Sequence, residues 1–558
     1  MTTHPEIRPD KNGNFVTRHI RDFRDGAGRS NSVPVPVAPG ELVTCSFCST
    51  QFTRGAIHRC KVKDLIDVTA HTKSILKACQ QAGGRPLIVG GSVRDAILNR
   101  LDGNKSYKPK DIDIEVYGIE DPATLIQHLS TRGTVNETGV SFGVIKIKLG
   151  DEDFDVSLPR RDSKSGTGHR GFDVEFDPTI GEVEAFGRRD FTINAMGYDV
   201  DTQELVDPYG GTQDLADGIL RHTTSAFAED PLRVLRGVQF AARFGFDMAP
   251  ETADEAARIK DSFNDVAVER VWGEFEKIFE KGTHISKAIG VLKETGWMEH
   301  FPELGRMEDV EQDPNWHPEG NVLVHLGMAA DKAADMAVNG TDRFESLDDD
   351  TRKLLVFTAM VHDLGKFGEG TQVHVHEDGT LDKITSLGHP ELGEEPIRAF
   401  AKRIGAPKSL VDPAVKLVRE HMSHVATTDG VPSSRAIRNL VRRLGDSDDG
   451  ANLRNWAILV DADHGGRGTS SRNGTGWVWY DKASEIDSVR PAKPFVNGGM
   501  LKDIGLKPDP IFKEIIQAAQ AAQDNEEITD AISGEAWARE YITRNGLDKL
   551  SPTPARIR

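Results

Sequence analysis

The chain has 558 residues but only four cysteines, too few for a disulfide framework at this length. It lacks any apolar run near the ~18 residues needed to span a bilayer, which excludes a membrane-spanning chain. The first residues, MTTHPEIRPDKNGNF, lack the charged-then-apolar pattern of a secretory signal, so a cytoplasmic location is expected. Positive charge is in the minority: 69 Lys and Arg face 88 Asp and Glu, for a formal net charge of −19. This balance excludes a broad basic coat that holds nucleic acid by indiscriminate attraction, but not arginines acting locally. With 37% hydrophobic residues the chain can bury several cores, so it is not wholly disordered. At roughly 150 residues per domain, the length predicts about four folded units.

The charge is uneven. Residues 1–62 hold nine Lys/Arg against five Asp/Glu. The first forty residues are polar, broken by Gly and Pro, and read as a flexible, mildly basic arm. From Lys63 the pattern becomes globular: a helix-like stretch, the apolar run PLIV, a Gly-Gly turn, the helix VRDAILNR, then the strand-like DIDIEVYG, VIKIKL and FDVSL. Helical periods dominate from about Asp230. A block rich in His and Asp follows, a glycine-rich boundary (RGTSSRNGTGW) lies near residue 470, and the C-terminal part is again helical. No internal repeat has a fixed period.

KPKDIDIEVYG places Asp111 and Asp113 at i and i+2, on one face of a strand, with Ile112, Ile114 and Val116 on the other. Two carboxylates side by side repel in a partly dry cleft. A divalent cation resolves that repulsion, so the spacing suits a Mg²⁺ site for phosphates. Alone, such a pattern is more often a solvated edge strand. Upstream, Gly90-Gly91 sits between an apolar strand and a helix, where bare backbone N–H groups can approach a triphosphate. The two motifs together point to a metal and a nucleotide. Further on, Asp230 and Arg233 stand at i and i+3 and are expected on one helical face. A carboxylate and a guanidinium there can imitate the edge of a base and select C or A over G or U. Arg236, one step further, is placed to reach phosphates.

LIVGGSVRDAIL, KDIDIEVYG, FDVSLPRRD, GRRDFTINAMGYD, ELVDPYGGTQDLADGILR and AFAEDPLRVLRGVQFAARFGF occur in that order. Over about residues 85–545 the chain resembles class II tRNA nucleotidyltransferases, the bacterial-type CCA-adding enzymes and their poly(A) polymerase relatives. The resemblance implies addition of CMP, CMP and AMP to a tRNA 3′ end, from CTP and ATP and without a nucleic-acid template. It implies catalytic Asp111 and Asp113 as Mg²⁺ ligands, nucleotide contacts from Gly91, Arg94 and Arg189, and base reading by the helix carrying Asp230, Arg233 and Arg236. Many members have another arginine three residues after Arg236, where this chain has Gln239. That departure bears on one phosphate or base contact and not on the chemistry. Asp155 reads equally as a third carboxylate near the metals or as a strand-surface residue.

The later block holds His325, His362-Asp363 in LLVFTAMVHDLGK, and Asp461 in AILVDADHGGRG. Burying His and Asp at an apolar helix end without partners is expensive, and a metal ion is a natural partner for both. His389, His421 and His424 add potential ligands or substrate contacts. As an ordered set, His325, His362, Asp363 and Asp461 resemble the HD phosphohydrolase superfamily. WHPEGNVLVH, GHPELG and DADHGGRG resemble the HD domain fused to CCA-adding enzymes. The resemblance implies a metal-dependent phosphodiesterase or phosphatase using Mg²⁺, Mn²⁺, Ni²⁺ or Co²⁺.

Cys45, Cys48, His58 and Cys60 form C-x2-C-x9-H-x-C, a set that suits tetrahedral Zn²⁺ although H-x-C is tighter than the usual second pair. Incidental thiols in a flexible arm are the other reading. Cys79, in a helix-like run, reads as a buried apolar residue. The expected fold is α+β: an arm (1–40), a small zinc module (41–62), a nucleotidyltransferase head (63–228), a helical neck (229–315), an HD domain (316–470) and a helical tail (471–558). Alternatives are a poly(A) polymerase or a CC- or A-adding enzyme, a nucleotide sensor controlling the HD domain, and a zinc-anchored RNA-binding protein with a vestigial enzyme.

Overall fold

The computed structural model describes residues 3–9, 15–21, 41–101, 103, 112–136, 144–164, 172–368, 370–426, 431–445, 449–467, 475–486, 494–525 and 527–547. For 3–9, 15–21, 161–164 and 172–175 it describes the backbone alone. The chain divides into two compact units, Met1–Phe275 with Lys287–His300, and Glu276–Ser286 with Phe301–Arg558. The first carries the sheet and the second is mostly helical, as the α+β reading expects.

In the first unit, Thr3–Pro9 (β1) and Phe15–Arg21 (β2) pair antiparallel, so the segment read as a flexible arm contains a strand pair. Leu42–Thr44 (β3) and Gln51–Thr53 (β4) form a second hairpin. An eight-stranded sheet follows, in the order Arg59–Lys61 (β5), Glu204–Val206 (β14), Gly197–Asp199 (β13), Arg85–Val89 (β6), Ile112–Tyr117 (β7), Glu152–Ser157 (β10), Val144–Leu149 (β9) and Thr134–Asn136 (β8). Arg160–Lys164 (β11) and Phe172–Phe176 (β12) pair separately. Strand β5, which composition groups with the zinc module, is thus an edge of the head sheet. Neighbours in the large sheet are antiparallel except β7 and β10, which run parallel with Asp113 beside Asp155.

The sheet is covered on both faces. Ile114 and Val116 of β7 are buried, and so are Glu115 and Tyr117 between them and after them. Tyr117 packs with Leu87, Val89, Phe186, Ala195, Val206 and Tyr209. Helix α1 (Ala70–Gln81) begins where the Thr69 hydroxyl accepts from the Thr72 N–H at 3.0 Å, a cap worth about 1 kcal/mol. It turns Ile75, Leu76 and Cys79 inward, so Cys79 is the buried apolar residue expected. Helix α2 (Gly91–Leu101) leaves β6 directly after Gly90. Pro122–Ser130 (α3), Glu182–Gly187 (α4), Gly211–Asp217 (α5) and Leu232–Phe244 (α6) complete the head's main helices.

The second unit is built around Val322–Asn339 (α7), Asp349–Val361 (α8), Lys408–Glu420 (α9) and Leu453–Gly465 (α10). Asn321, Asp348 and Asn452 cap α7, α8 and α10 by accepting from the N–H three residues on, at 3.0, 2.9 and 2.9 Å. From Leu354 to Val361 every side chain of α8 is buried, because this helix is packed on several sides at once. Thr475–Ser484 (α11) packs on α10. Ile511–Asp524 (α12) and Ala531–Arg544 (α13) close a core of their own around Leu501, Ile515, Ala519 and Ala538. Among the described residues no helix is long and apolar enough to cross a membrane.

Candidate functional site

In the head, Gly90 adopts φ +71°, a left-handed conformation that glycine takes without strain. A Cβ there would lie 2.9 Å from Arg189 Nη1 and 3.6 Å from Asp113 Oδ2, so the bare backbone is what lets those two side chains approach. Asp113 is half-buried on β7 with Asp155 beside it in register, and Asp155 pairs with Lys146 at 3.2 Å. Asp111 lies outside the described residues. Glu115, two residues past Asp113, is buried; it accepts from Tyr117 Oη at 2.6 Å and from Arg189 Nη2 at 2.9 Å. Burial opposes the Arg189 charge, but the Glu115 carboxylate more than offsets it and raises the guanidinium pKa. Beside this pair is a pocket of about 240 Å³ whose lining includes Ser157, Arg160, Arg188, Arg189, Arg233 and Glu115. Four guanidinium groups and one carboxylate give it a strong preference for phosphate.

The other head residues take more specific places. Gly91 opens α2. Arg94 is enclosed: it donates to Asp95 Oδ1 at 2.8 Å and Asn194 Oδ1 at 2.7 Å, and lies 5.2 and 5.0 Å from the ring centres of Phe240 and Phe244. Its guanidinium is committed to protein groups and ties α2 to the RRDFTIN segment. Arg236 donates to Asp190 Oδ2 at 2.7 Å. Burial works against the Asp190 charge, but Arg236, Asn194 and the Phe191 N–H outweigh it and hold its pKa at about 2. Arg233 donates to the carbonyls of Ala226 and Arg188.

Asp230 and Arg233 do not share a helical face. Asp230 precedes Pro231 and has extended backbone (φ −125°, ψ 103°), because the proline ring clashes with a helical residue before it. Its carboxylate accepts from the Leu232 N–H at 3.2 Å and from Arg270 at 2.8 Å. Gln239 is buried on α6. Glu115, Arg160, Arg188, Asp190 and Asn194 escaped the sequence reading. Glu115 continues the alternation of D-x-D, and the other three from 188 to 194 lie in the GRRDFTIN motif itself.

In the second unit, His325 (α7), His362-Asp363 (just after α8), His421 (just after α9) and Asp463 (α10) converge, with His389 from the short helix His389–Leu392. His325 Nε2 lies 3.3 Å from His362 Nε2, 3.1 Å from Asp463 Oδ1 and 3.8 Å from Asp363 Oδ2. Asp363 Oδ1 lies 3.2 Å from His389 Nε2 and 3.7 Å from His421 Nε2, and these two nitrogens are 3.2 Å apart. Two ligand-like triads therefore share Asp363. His362, His389 and His421 direct Nδ1 at the carbonyls of Ala359, Ser386 and Val418, at 2.8, 2.7 and 2.6 Å. Each ring thus keeps its Nε2 lone pair for the cluster. Glu319 does the same for His325 through Nδ1 at 2.7 Å and also meets His317 at 2.9 Å.

Asp461 does not join this cluster; Asp463 takes its place. Two residues along a helix turn a side chain by roughly 200°, so the two aspartates face opposite ways. Asp461 Oδ2 accepts from Trp477 Nε1 at 2.7 Å. His424 also stands apart, its ring 5.1 Å from that of His464. Buried Asp363 is held well below the usual carboxylate range: burial opposes this, and the neighbouring His362 imidazole and Lys366 ammonium outweigh it. The donor set, carboxylates and imidazole nitrogens whose rings are anchored on backbone carbonyls, fits a divalent cation. Near the head sheet, Cys45, Cys48, His58 and Cys60 also come together.

Residues 87–221 match the poly A polymerase head domain, and residues 245–307 match the probable RNA and SrmB-binding site of polymerase A. The multifunctional CCA protein of Xanthomonas campestris is 31% identical over 446 residues, covering 78% of this chain and 97% of that protein. The one from Stenotrophomonas maltophilia is 34% identical over 355 residues, covering 60% and 75%. Among solved structures, a CCA-adding enzyme in complex with CTP matches with TM-score 0.52 at 17% identity, covering 87% of this chain and 99% of the other. The Thermotoga maritima CCA-adding enzyme complexed with tRNA matches with TM-score 0.51 at 17% identity, again covering 87% and 99%.

Proposed function

The chain belongs to the class II CCA-adding family, and from that premise we propose that it adds CMP, CMP and AMP to tRNA 3′ ends from CTP and ATP. The convergence of Gly90, Asp113 and Arg189 beside an arginine-lined pocket carries this reading. Asp113, with Asp111 of the same D-x-D motif, would hold Mg²⁺, and the donor set of hard carboxylate oxygens fits that ion. The metal, when bound, withdraws charge from the triphosphate and the attacking hydroxyl. The chain's own groups do the rest. Gly90 and Gly91 let the backbone come close to phosphates, and Arg189, Arg188 and Arg160 neutralise charge that grows on the departing pyrophosphate. The terminal 3′-hydroxyl oxygen forms a bond to the α-phosphorus as the bond to pyrophosphate breaks. Arg233 in the first turn of α6 and Asp230 in the extended segment before it would read the base, where exchange of Asp230 from Arg270 would free its acceptors.

The second unit is read as an HD-type metal-dependent phosphohydrolase. His325, His362 and Asp363, joined by Asp463 at 3.1 Å from His325 Nε2, would hold one divalent ion, and Asp363, His389 and His421 a second. Ions held there would activate water and polarise a phosphoryl oxygen. A cytoplasmic location goes with this reading.

The test is incorporation of labelled CTP and ATP onto tRNA lacking its CCA end, by wild type and Asp113→Ala. Three additions that stop, abolished by the substitution, are expected. Unlimited extension with ATP alone would make the protein a poly(A) polymerase, and addition of only C or only A would make it a partial enzyme. RNA binding without turnover would leave only the zinc-anchored binding protein.

A further inference from the structure

Four side chains that neither site uses meet beside the head sheet. Cys45 follows β3, Cys48 lies in the β3–β4 turn, and His58 and Cys60 bracket the start of β5. One ligand atom from each, three sulfurs and a ring nitrogen, lies within 4.8 Å of all the others. Cys48 Sγ is 3.6 Å from His58 Nε2. A tetrahedral ion with metal–sulfur bonds of about 2.3 Å and a metal–nitrogen bond of about 2.05 Å spaces such a pair by about 3.6 Å. The H-x-C spacing, tight for a loop, is natural on extended chain: residues i and i+2 share a face. His58 and Cys60 are accordingly buried while Arg59 between them is exposed.

The local backbone fixes the four side chains. Cys45, His58 and Cys60 are buried, and Cys48 lies on the exposed turn. That turn has Ser49 at φ +56°, with Ser49 N–H on the Cys45 carbonyl at 2.9 Å and Cys45 N–H on the Thr50 carbonyl at 3.0 Å. Phe52 stacks on His58 at 4.3 Å and 7°, which fixes the imidazole plane. The three-residue strands β3 and β4, with Val43 and Phe52 as their buried apolar side chains, cannot hold this arrangement by core packing alone.

The knuckle is fastened to the head. Ser46 Oγ donates to the Thr212 carbonyl at 2.8 Å, Gly55 N–H to the Pro208 carbonyl at 2.8 Å, and Arg54 to the Tyr209 carbonyl. Arg54 also meets Asp214 at 3.5 Å, and Asp214 accepts from Thr192 Oγ1 at 2.6 Å. Thr192 is two residues beyond Asp190, the partner of Arg236.

We propose that Cys45, Cys48, His58 and Cys60 bind one structural Zn²⁺ that locks this knuckle to the edge of the head sheet and braces the Asp207–Asp214 segment under Thr192. Zinc follows from three soft thiolates and one imidazole in a closed tetrahedral set with no position left for water or substrate. This site is independent of the activity assigned to the head.

The test uses the full chain with His362→Ala and Asp363→Ala introduced so that the histidine cluster contributes no metal. Elemental analysis after purification and buffer exchange should give one zinc per chain, retained in Cys79→Ser and lost in Cys48→Ser, whose thiol is exposed. Cobalt replacement should give the visible spectrum of a tetrahedral thiolate site, which the histidine cluster cannot mimic. Chelation should lower the melting temperature of the parent and leave that of Cys48→Ser unmoved. Absence of zinc from the parent, zinc retained by Cys48→Ser, or a cobalt spectrum without thiolate bands would overturn the proposal. Should Cys48→Ser fail to fold, the stoichiometry and cobalt spectrum of the parent decide alone.

Discussion

The head pocket and the histidine cluster are near-inversions of each other. In the head, four guanidinium groups gather around a pocket open to solvent, with Glu115 as its one carboxylate. In the second unit, four imidazoles and two carboxylates meet in a closed interior where His325 and His362 are fully buried and Asp363 is 1% exposed. The first arrangement suits an anion that arrives and leaves; the second suits a cation that stays. Their rigidity differs for the same reason. Arg189 and Arg236 are held by Glu115 and Asp190, partners that a phosphate can replace. Three of the four histidines are fixed by backbone carbonyls, which do not exchange. The net charge of −19 is therefore uninformative about either ligand, because each site sets its own local sign.

If the two sites are chemically separate, breaking one leaves the other working. The largest effect is expected from Asp363→Asn, since that carboxylate belongs to both triads. Metal-dependent hydrolysis of bis(p-nitrophenyl) phosphate should fall by more than about 10²-fold, beyond what loss of a residue that only orients a ligand costs, while CTP incorporation onto tRNA is unchanged. Asp463→Asn should behave likewise and Asp461→Asn should not. Hydrolysis abolished by Asp461→Asn alone would mean that the helix phase is wrong. The converse change is Arg189→Lys, which keeps a positive charge beside Glu115 but loses the planar fork. Incorporation should drop roughly 10²-fold in kcat with KM for CTP moved less, as for a lost transition-state donor, and hydrolysis should stay at wild-type rates. A parallel loss of both activities would show that the two sites are coupled.

Which parts of this contrast were legible in the sequence depends on period. The alternation of DIDIEV announced a strand with its carboxylates on one face, and Glu115 could have been added by extending the same alternation two residues. The Gly-Gly turn was legible because only bare backbone fits against Arg189 and Asp113. Helix phase was not legible in VDADHGG: α10 is buried almost all round, so no polar face marks which aspartate points inward. Pro231 carried enough information to move Asp230 off the helix, yet the i, i+3 spacing alone suggested otherwise. Arg94 looked like a ligand contact because its motif lies beside the glycines. Only tertiary packing reveals Phe240, Phe244 and Asn194 around it. The H-x-C pair looked too tight until β5 proved extended.

The smallest expected effect tests whether the head's charges are truly paired within the protein before substrate arrives. Asp190 has its pKa held at about 2 in the fold against an ordinary 3.8. A depressed carboxylate stabilises the fold above its unfolded pKa, and that contribution is lost as pH falls through the folded value. The difference corresponds to about 2 kcal/mol, present above about pH 4 and fading toward about pH 2. Asp190→Asn removes the charge but keeps an acceptor for Asn194 and Arg236. The gap in urea midpoint between wild type and this variant, followed downward from about pH 5, should therefore shrink and nearly close at the acid end. A gap that stays constant would mean that Arg236 does not hold Asp190 in the free protein. The guanidinium would then be unpaired before a nucleotide binds, and the head would be as preorganised for its anion as the histidine cluster is for its cation.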